Sequence, residues 1–85
     1  MAGLLEGRTA IVTGAASGVG LAVARRFVEE GATILMTDAD ETALDSEASS
    51  LDEGEGRVHR WRCDLTEKLG IANLIASAAD RLGHI

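Results

Sequence analysis

Two kinds of apolar stretch alternate along the chain. Arg8–Thr13 is a short run with Ala10, Ile11 and Val12 at its centre, stopped by Gly14. Apolar runs without polar alternation suit strands covered on both faces. From Gly18 to Glu30 the apolar residues recur at Val19, Val23 and Phe27, with Ala22, Ala24 and Val28 beside them, which is helical spacing. Arg25, Arg26, Glu29 and Glu30 are the expected solvated face of that helix. Gly31 suits the position just past a helix C-terminus. Thr33–Thr37 predicts a second buried strand, stopped by Asp38-Ala39-Asp40. A second helix is predicted over Glu41–Leu51, with Leu44, Ala48 and Leu51 as its apolar stripe. Asp40 is its expected N-cap, since a carboxylate there accepts from the free N–H groups of the first turn.

Gly54 and Gly56 interrupt the pattern. Arg57–Cys63 then alternates Val58, Arg60 and Arg62 with His59, Trp61 and Cys63, a less apolar pattern that suits an edge strand. Thr66 is the expected cap of a third helix, Glu67 to about Leu82, with Ile71, Leu74, Ile75, Ala78 and Leu82 on one face and Gly83 closing it. His84-Ile85 reads as the first step into a fourth strand. Strand and helix patterns in alternation predict βαβ units and a parallel sheet. No repeat, low-complexity tract or linker divides the 85 residues. A chain of this length holds one small domain at most, with a thin core.

Composition narrows the function. The 46 % apolar and 26 % charged residues are ordinary for a globular chain. One cysteine, Cys63, excludes an internally disulfide-stapled scaffold and is expected as a small core hydrophobe. A net charge of −6 argues against a nucleic-acid binder that works by neutralising phosphates. No apolar run approaches the ~20 residues of a membrane span. Met1–Glu6 carries no basic leader, so a cytoplasmic location is expected. His59 and His84 lack partners at ligand spacing, so no metal site is expected, and Trp61 is expected to pack on its strand.

The segment with chemical promise is Thr13-Gly14-Ala15-Ala16-Ser17-Gly18-Val19-Gly20, between the first strand and the first helix. A helix N-terminus offers unpaired N–H groups and partial positive charge, which attract phosphate. Gly14 would make the turn, Gly18 would let a pyrophosphate approach the backbone, and Gly20 would let helix and strand pack closely. Ser17 would add a hydroxyl donor. The bland alternative is a tight turn that binds nothing.

The spacing is T-G-x-x-x-G-x-G, and it resembles the nucleotide fingerprint of the short-chain dehydrogenase/reductase family. The resemblance covers the whole chain, because the order of elements also fits. It implies the N-terminal half of a doubly wound, Rossmann-type α/β sheet, β-α-β-α-β-α in strand order 3-2-1. Residues 1–85 would then be a partial dinucleotide-binding domain that stops before its fourth strand. Asp38, ending the second strand, matches the acid that holds the adenosine ribose. Its charge would repel a 2′-phosphate by about a few kcal/mol at close range, so NAD is expected over NADP. The alternative role for Asp38 is a turn residue or helix cap. Asp64 resembles the family's adenine-contacting aspartate, with the Leu65 N–H reaching a ring nitrogen; its alternative is a helix-capping acid. The expected cofactor residues are Gly14, Ser17, Gly18, Val19, Gly20, Asp38, Asp64 and Leu65.

The family's proton transfer uses a tyrosine and a lysine four residues apart. This chain has no tyrosine, and its one lysine, Lys68, falls in the adenine half. No catalytic residue is therefore assigned. The expected function is the nucleotide-binding part of an NAD-dependent oxidoreductase interconverting an alcohol and a ketone. The alternative is a non-catalytic nucleotide-binding or interaction module. An unpaired edge on the apolar Arg8–Thr13 strand predicts self-association, or docking of a complementing C-terminal half.

Overall fold

A computed structural model of the chain describes residues 3–52, 54, 56–64 and 68–83. The elements follow the expected order: β1 (Thr9–Thr13), α1 (Gly18–Glu29), β2 (Thr33–Asp38), α2 (Glu41–Leu51), β3 (Val58–Arg62) and α3 (Lys68–Leu82). Thr66 and Glu67, the expected start of the third helix, and His84-Ile85 lie outside the described residues. The strands form one parallel sheet in the order β1-β2-β3. That is the expected order read from the other edge.

Apolar residues at alternate positions of β2 explain the two cores. Ile34 and Met36 face one way and join Val12, Ala24, Val28, Leu44 and Ala48 beneath α1 and α2. Leu35 faces the other way and joins Cys63, Leu74, Ala78 and Leu82 of α3, with Ile11 and Trp61 packed against them. Ile34, Leu35 and Met36 have no solvent exposure. β2 is therefore the two-sided buried strand that its sequence predicts. β1 is less covered than its apolar run suggests: Thr9, Ala10 and Ile11 are half-buried, because β1 lies at the sheet's edge.

Three details depart from the periodicity. Val19 is 81 % exposed and Ile75 58 % exposed, so neither belongs to its helix's buried stripe. Glu30, expected in solvent, is buried. It pairs with Arg26 at 3.0 Å, its side chain accepts from Leu4 N and its carbonyl from Leu5 N. The acid thus ties the N-terminal segment to the end of α1. That end is a Schellman turn: Gly31 N donates to Val28 O and Ala32 N to Phe27 O, each at 3.0 Å. Arg57 adds a cation there, donating from Nη1 to Val28 O and Ala32 O.

Cys63 is buried, as expected. Trp61 packs beside α3, with the Arg81 guanidinium 4.9 Å from its ring centroid. Arg81 also donates to Ser77 Oγ.

Leu35 and Ala78 have no exposure in the α3-side cluster, and Leu35, on the sheet, is the larger of the two, so it carries most of the docking of α3. Leu35→Ala is expected to lower unfolding stability by about 3 kcal/mol in denaturant titrations, and Ile75→Ala by less than about 0.5 kcal/mol. Equal effects would contradict this placement of α3.

Candidate functional site

The parallel register of β1 and β2 places Thr13 beside Thr37, so the loops that leave these strands emerge together. The glycine loop leaves β1 and enters α1. Gly14 has φ +59° and Gly18 φ +57°, left-handed values that a side chain disfavours. Space beyond both α-carbons is open. Gly20 is constrained differently. A Cβ there would overlap the Gly14 carbonyl oxygen and lie 2.6 Å from its carbon and 2.8 Å from Thr13 O. The first turn of α1 thus sits directly on the end of β1, the close approach expected of Gly20.

Ser17 is the N-cap of α1, but its side chain makes no capping bond. The first intrahelical bond runs from Leu21 N to Ser17 O, at 3.2 Å. The amides of Gly18, Val19 and Gly20 precede it and lack helical acceptors. Ser17, Gly18 and Val19 are exposed at this end, so amides and hydroxyl can meet a ligand. Donors of this kind at a helix N-terminus suit an anion.

Asp38 is the last residue of β2 and is half-buried. Its Oδ2 accepts from Ala16 N at 3.1 Å and its Oδ1 from Asp40 N at 3.0 Å. The second bond makes it a turn residue, the role weighed against ribose binding. It is not the cap of α2: Asp40 is, with Oδ1 accepting from Ala43 N at 3.1 Å. Ala15 N donates to Thr37 O at 3.0 Å, a second tie between glycine loop and β2. Asp64 is half-buried just past β3, and Leu65 lies outside the described residues. The structure therefore brings Gly14, Ser17, Gly18, Val19, Gly20 and Asp38 to one end of the sheet.

Sequence reasoning missed two contributors. Thr37 is buried and donates from Oγ1 to Trp61 O at 2.7 Å, bracing β2 against β3. Arg62 is the register partner of Asp38 and donates from Nε to Ala39 O at 3.2 Å, holding the β2–α2 turn. Strand pairing between residues 38 and 62 was the signal that would have found it. Among the described residues no group of histidine, cysteine and acidic side chains is placed to hold a metal, and no helix is long and apolar enough to cross a membrane.

Parallel strands joined by helices on both faces, with a glycine loop opening the first helix, define a Rossmann-type α/β fold. The family profile for short chain dehydrogenases matches residues 8–85, and the chain belongs to this family of oxidoreductases. It is 41 % identical over 85 residues to an uncharacterized oxidoreductase of Mycobacterium bovis, covering 100 % of this chain and 34 % of that protein. A short chain dehydrogenase from Mycobacterium smegmatis superposes with TM-score 0.91 at 36 % identity, over 98 % of this chain and 35 % of that one. A short chain dehydrogenase/reductase from Burkholderia phymatum, solved in complex with NAD, gives TM-score 0.88 at 29 % identity, over 93 % of this chain and 28 % of that one. The chain thus spans about a third of the length of these relatives.

The glycines make separable predictions. Gly20→Ala must displace backbone, whereas Gly18→Ala meets open space and only an unfavourable φ, about 1–2 kcal/mol. Thermal melts should show the Gly20 variant losing distinctly more stability than the Gly18 variant. The reverse order would mean that α1 does not rest on β1 as described.

Proposed function

We propose that this chain is the adenosine- and pyrophosphate-binding part of an NAD-dependent oxidoreductase that interconverts an alcohol and a ketone. The observation that supports it best is the exposed glycine loop at the start of α1, one hydrogen bond from the Asp38 carboxylate. In this reading Gly14 and Gly18 shape the loop, and the amides of Gly18, Val19 and Gly20 bind the pyrophosphate with the Ser17 hydroxyl. Asp38 takes the ribose hydroxyls and disfavours a 2′-phosphate. Asp64 and the Leu65 amide take the adenine. Bound there, the nicotinamide cofactor supplies hydride transfer. A single buried cysteine, with no need of an oxidising compartment, accords with a cytoplasmic site.

Residues 1–85 are, in the same reading, a partial domain. Crossovers between parallel strands are right-handed. α1 and α2 carry the chain from β1 to β3 across one face, while α3 lies on the other. A parallel strand following α3 must therefore return towards β1, whose outer edge has no partner among the described residues. That edge is the expected dock for a C-terminal half or a second copy. The chain has no tyrosine, so the family's proton-transfer residue must come from elsewhere.

Titration calorimetry is expected to show NAD binding about tenfold or more tightly than NADP, the ratio that repulsion at Asp38 implies. Equal or reversed affinities would remove that role from Asp38. Gly18→Val, which puts a branched side chain where the pyrophosphate must approach, should abolish binding; unchanged affinity would mean the loop binds no phosphate. Light scattering after size exclusion should show self-association of the isolated chain through β1, and a stable monomer would contradict the docking edge.

A further inference from the structure

Both oxygens of the Asp38 carboxylate already hold a backbone N–H, and the two amides belong to different loops. Oδ2 accepts from Ala16 in the glycine loop and Oδ1 from Asp40 in the β2–α2 turn. Ala16 is buried, so its N–H has no ready substitute acceptor in water. The loop's remaining tie to β2 is the bond from Ala15 N to Thr37 O. α1 itself adds little order at its start: Ser17 makes no side-chain cap and its first turn holds no acid. The turn on the other side is well fixed. Asp40 caps α2 through Ala43 N, and Arg62 holds Ala39 O.

We propose that Asp38 is a positioning residue for the phosphate loop, latching it to the rigid β2–α2 turn before any ligand arrives. The inference rests on the dinucleotide reading above and extends it. A carboxylate has about four lone-pair sites over its two oxygens. The two amides use one on each oxygen and leave one on each for a vicinal diol, so latch and ribose ligand are compatible roles. Loss of the carboxylate then weakens the pyrophosphate end of the site too. Asparagine cannot replace it, because its NH2 group would meet one of the two N–H donors head-on. Removing the charge at Asp38 is accordingly expected to lose NAD without creating an NADP enzyme.

Amide-resolved NMR separates the two roles. Wild type and Asp38→Asn are titrated with ADP and with 2′,3′-dideoxy-ADP, which keeps the diphosphate and lacks both hydroxyls. The latch predicts that Asp38→Asn weakens the dideoxy ligand by about tenfold, the loss of one charge-assisted bond. It also predicts slow hydrogen exchange at the Ala16 amide of unliganded wild type, and faster exchange there in the variant while Leu35 and Met36 stay protected. A dideoxy affinity unchanged by the substitution, or an unprotected Ala16 amide in wild type, overturns the latch. The wild-type exchange measurement decides the matter even if the variant fails to fold. No binding of ADP by wild type overturns the dinucleotide reading itself, whereas ADP binding with an indifferent dideoxy ligand overturns the latch alone.

Discussion

Everything at the functional end depends on the parallel register of β1 against β2. Thr13 pairs with Thr37, so the two strands finish level. Parallel strands finish at the same end of the sheet, and their outgoing loops must share that end. This pairing brings Ala15 to the Thr37 carbonyl and Ala16 to the Asp38 carboxylate. A slip of one residue would turn Ile34 and Met36 to the α3 side and separate both contacts. The apolar burial of β2 therefore fixes the polar geometry above it. The site inherits its precision from a core it does not touch.

The core is small, and hydrogen bonds brace what packing alone leaves loose. The cluster beneath α1 and α2 is rich in alanine: Ala15, Ala16, Ala24, Ala32 and Ala48. Small side chains let α1 approach the sheet closely but contribute little apolar area each. Gly20 against Gly14 is the limit of the same tendency. Close approach then makes backbone groups available to side-chain acceptors and donors. Glu30 with the N-terminal segment, Arg57 with the end of α1, and Thr37 with β3 are three such braces, each linking elements distant in sequence.

Element type and order were legible because alternation between short apolar runs and helical spacing needs no tertiary knowledge. α2 matched its expected limits, Glu41–Leu51, because Asp40 is a true cap. Ends were less legible where tertiary pairing sets them. β2 extends through Asp38 because that residue pairs with Arg62 across the sheet. Glu30 was misplaced because helical periodicity ranks charge as exposed and is blind to the N-terminal segment folded over it. Val19 and Ile75 were misplaced for the opposite reason: an apolar residue fits a stripe in sequence whether or not a sheet lies beneath it. The glycines of the loop were legible in identity and place. The bond from Ala16 to Asp38 was not, because a local reading does not pair residues 22 apart in sequence.

Asp38 changes meaning once that bond is known. In sequence it is an acid at the end of a strand, with a ribose role and a turn role as rival explanations. In the structure the roles are not rivals, since one oxygen orders the turn and the other orders the glycine loop, each with capacity to spare. Under the proposed function, one residue would both shape the site and contact its ligand. Arg62 sharpens the point. It stands beside Asp38 in register, and its Nε donates to the Ala39 carbonyl, which ties it to the same turn. The hydrogen bonds at this corner join Ala16, Asp38, Ala39, Asp40 and Arg62 into one unit. A substitution that removes the Asp38 charge therefore also changes the acceptor that the glycine-loop amide of Ala16 uses.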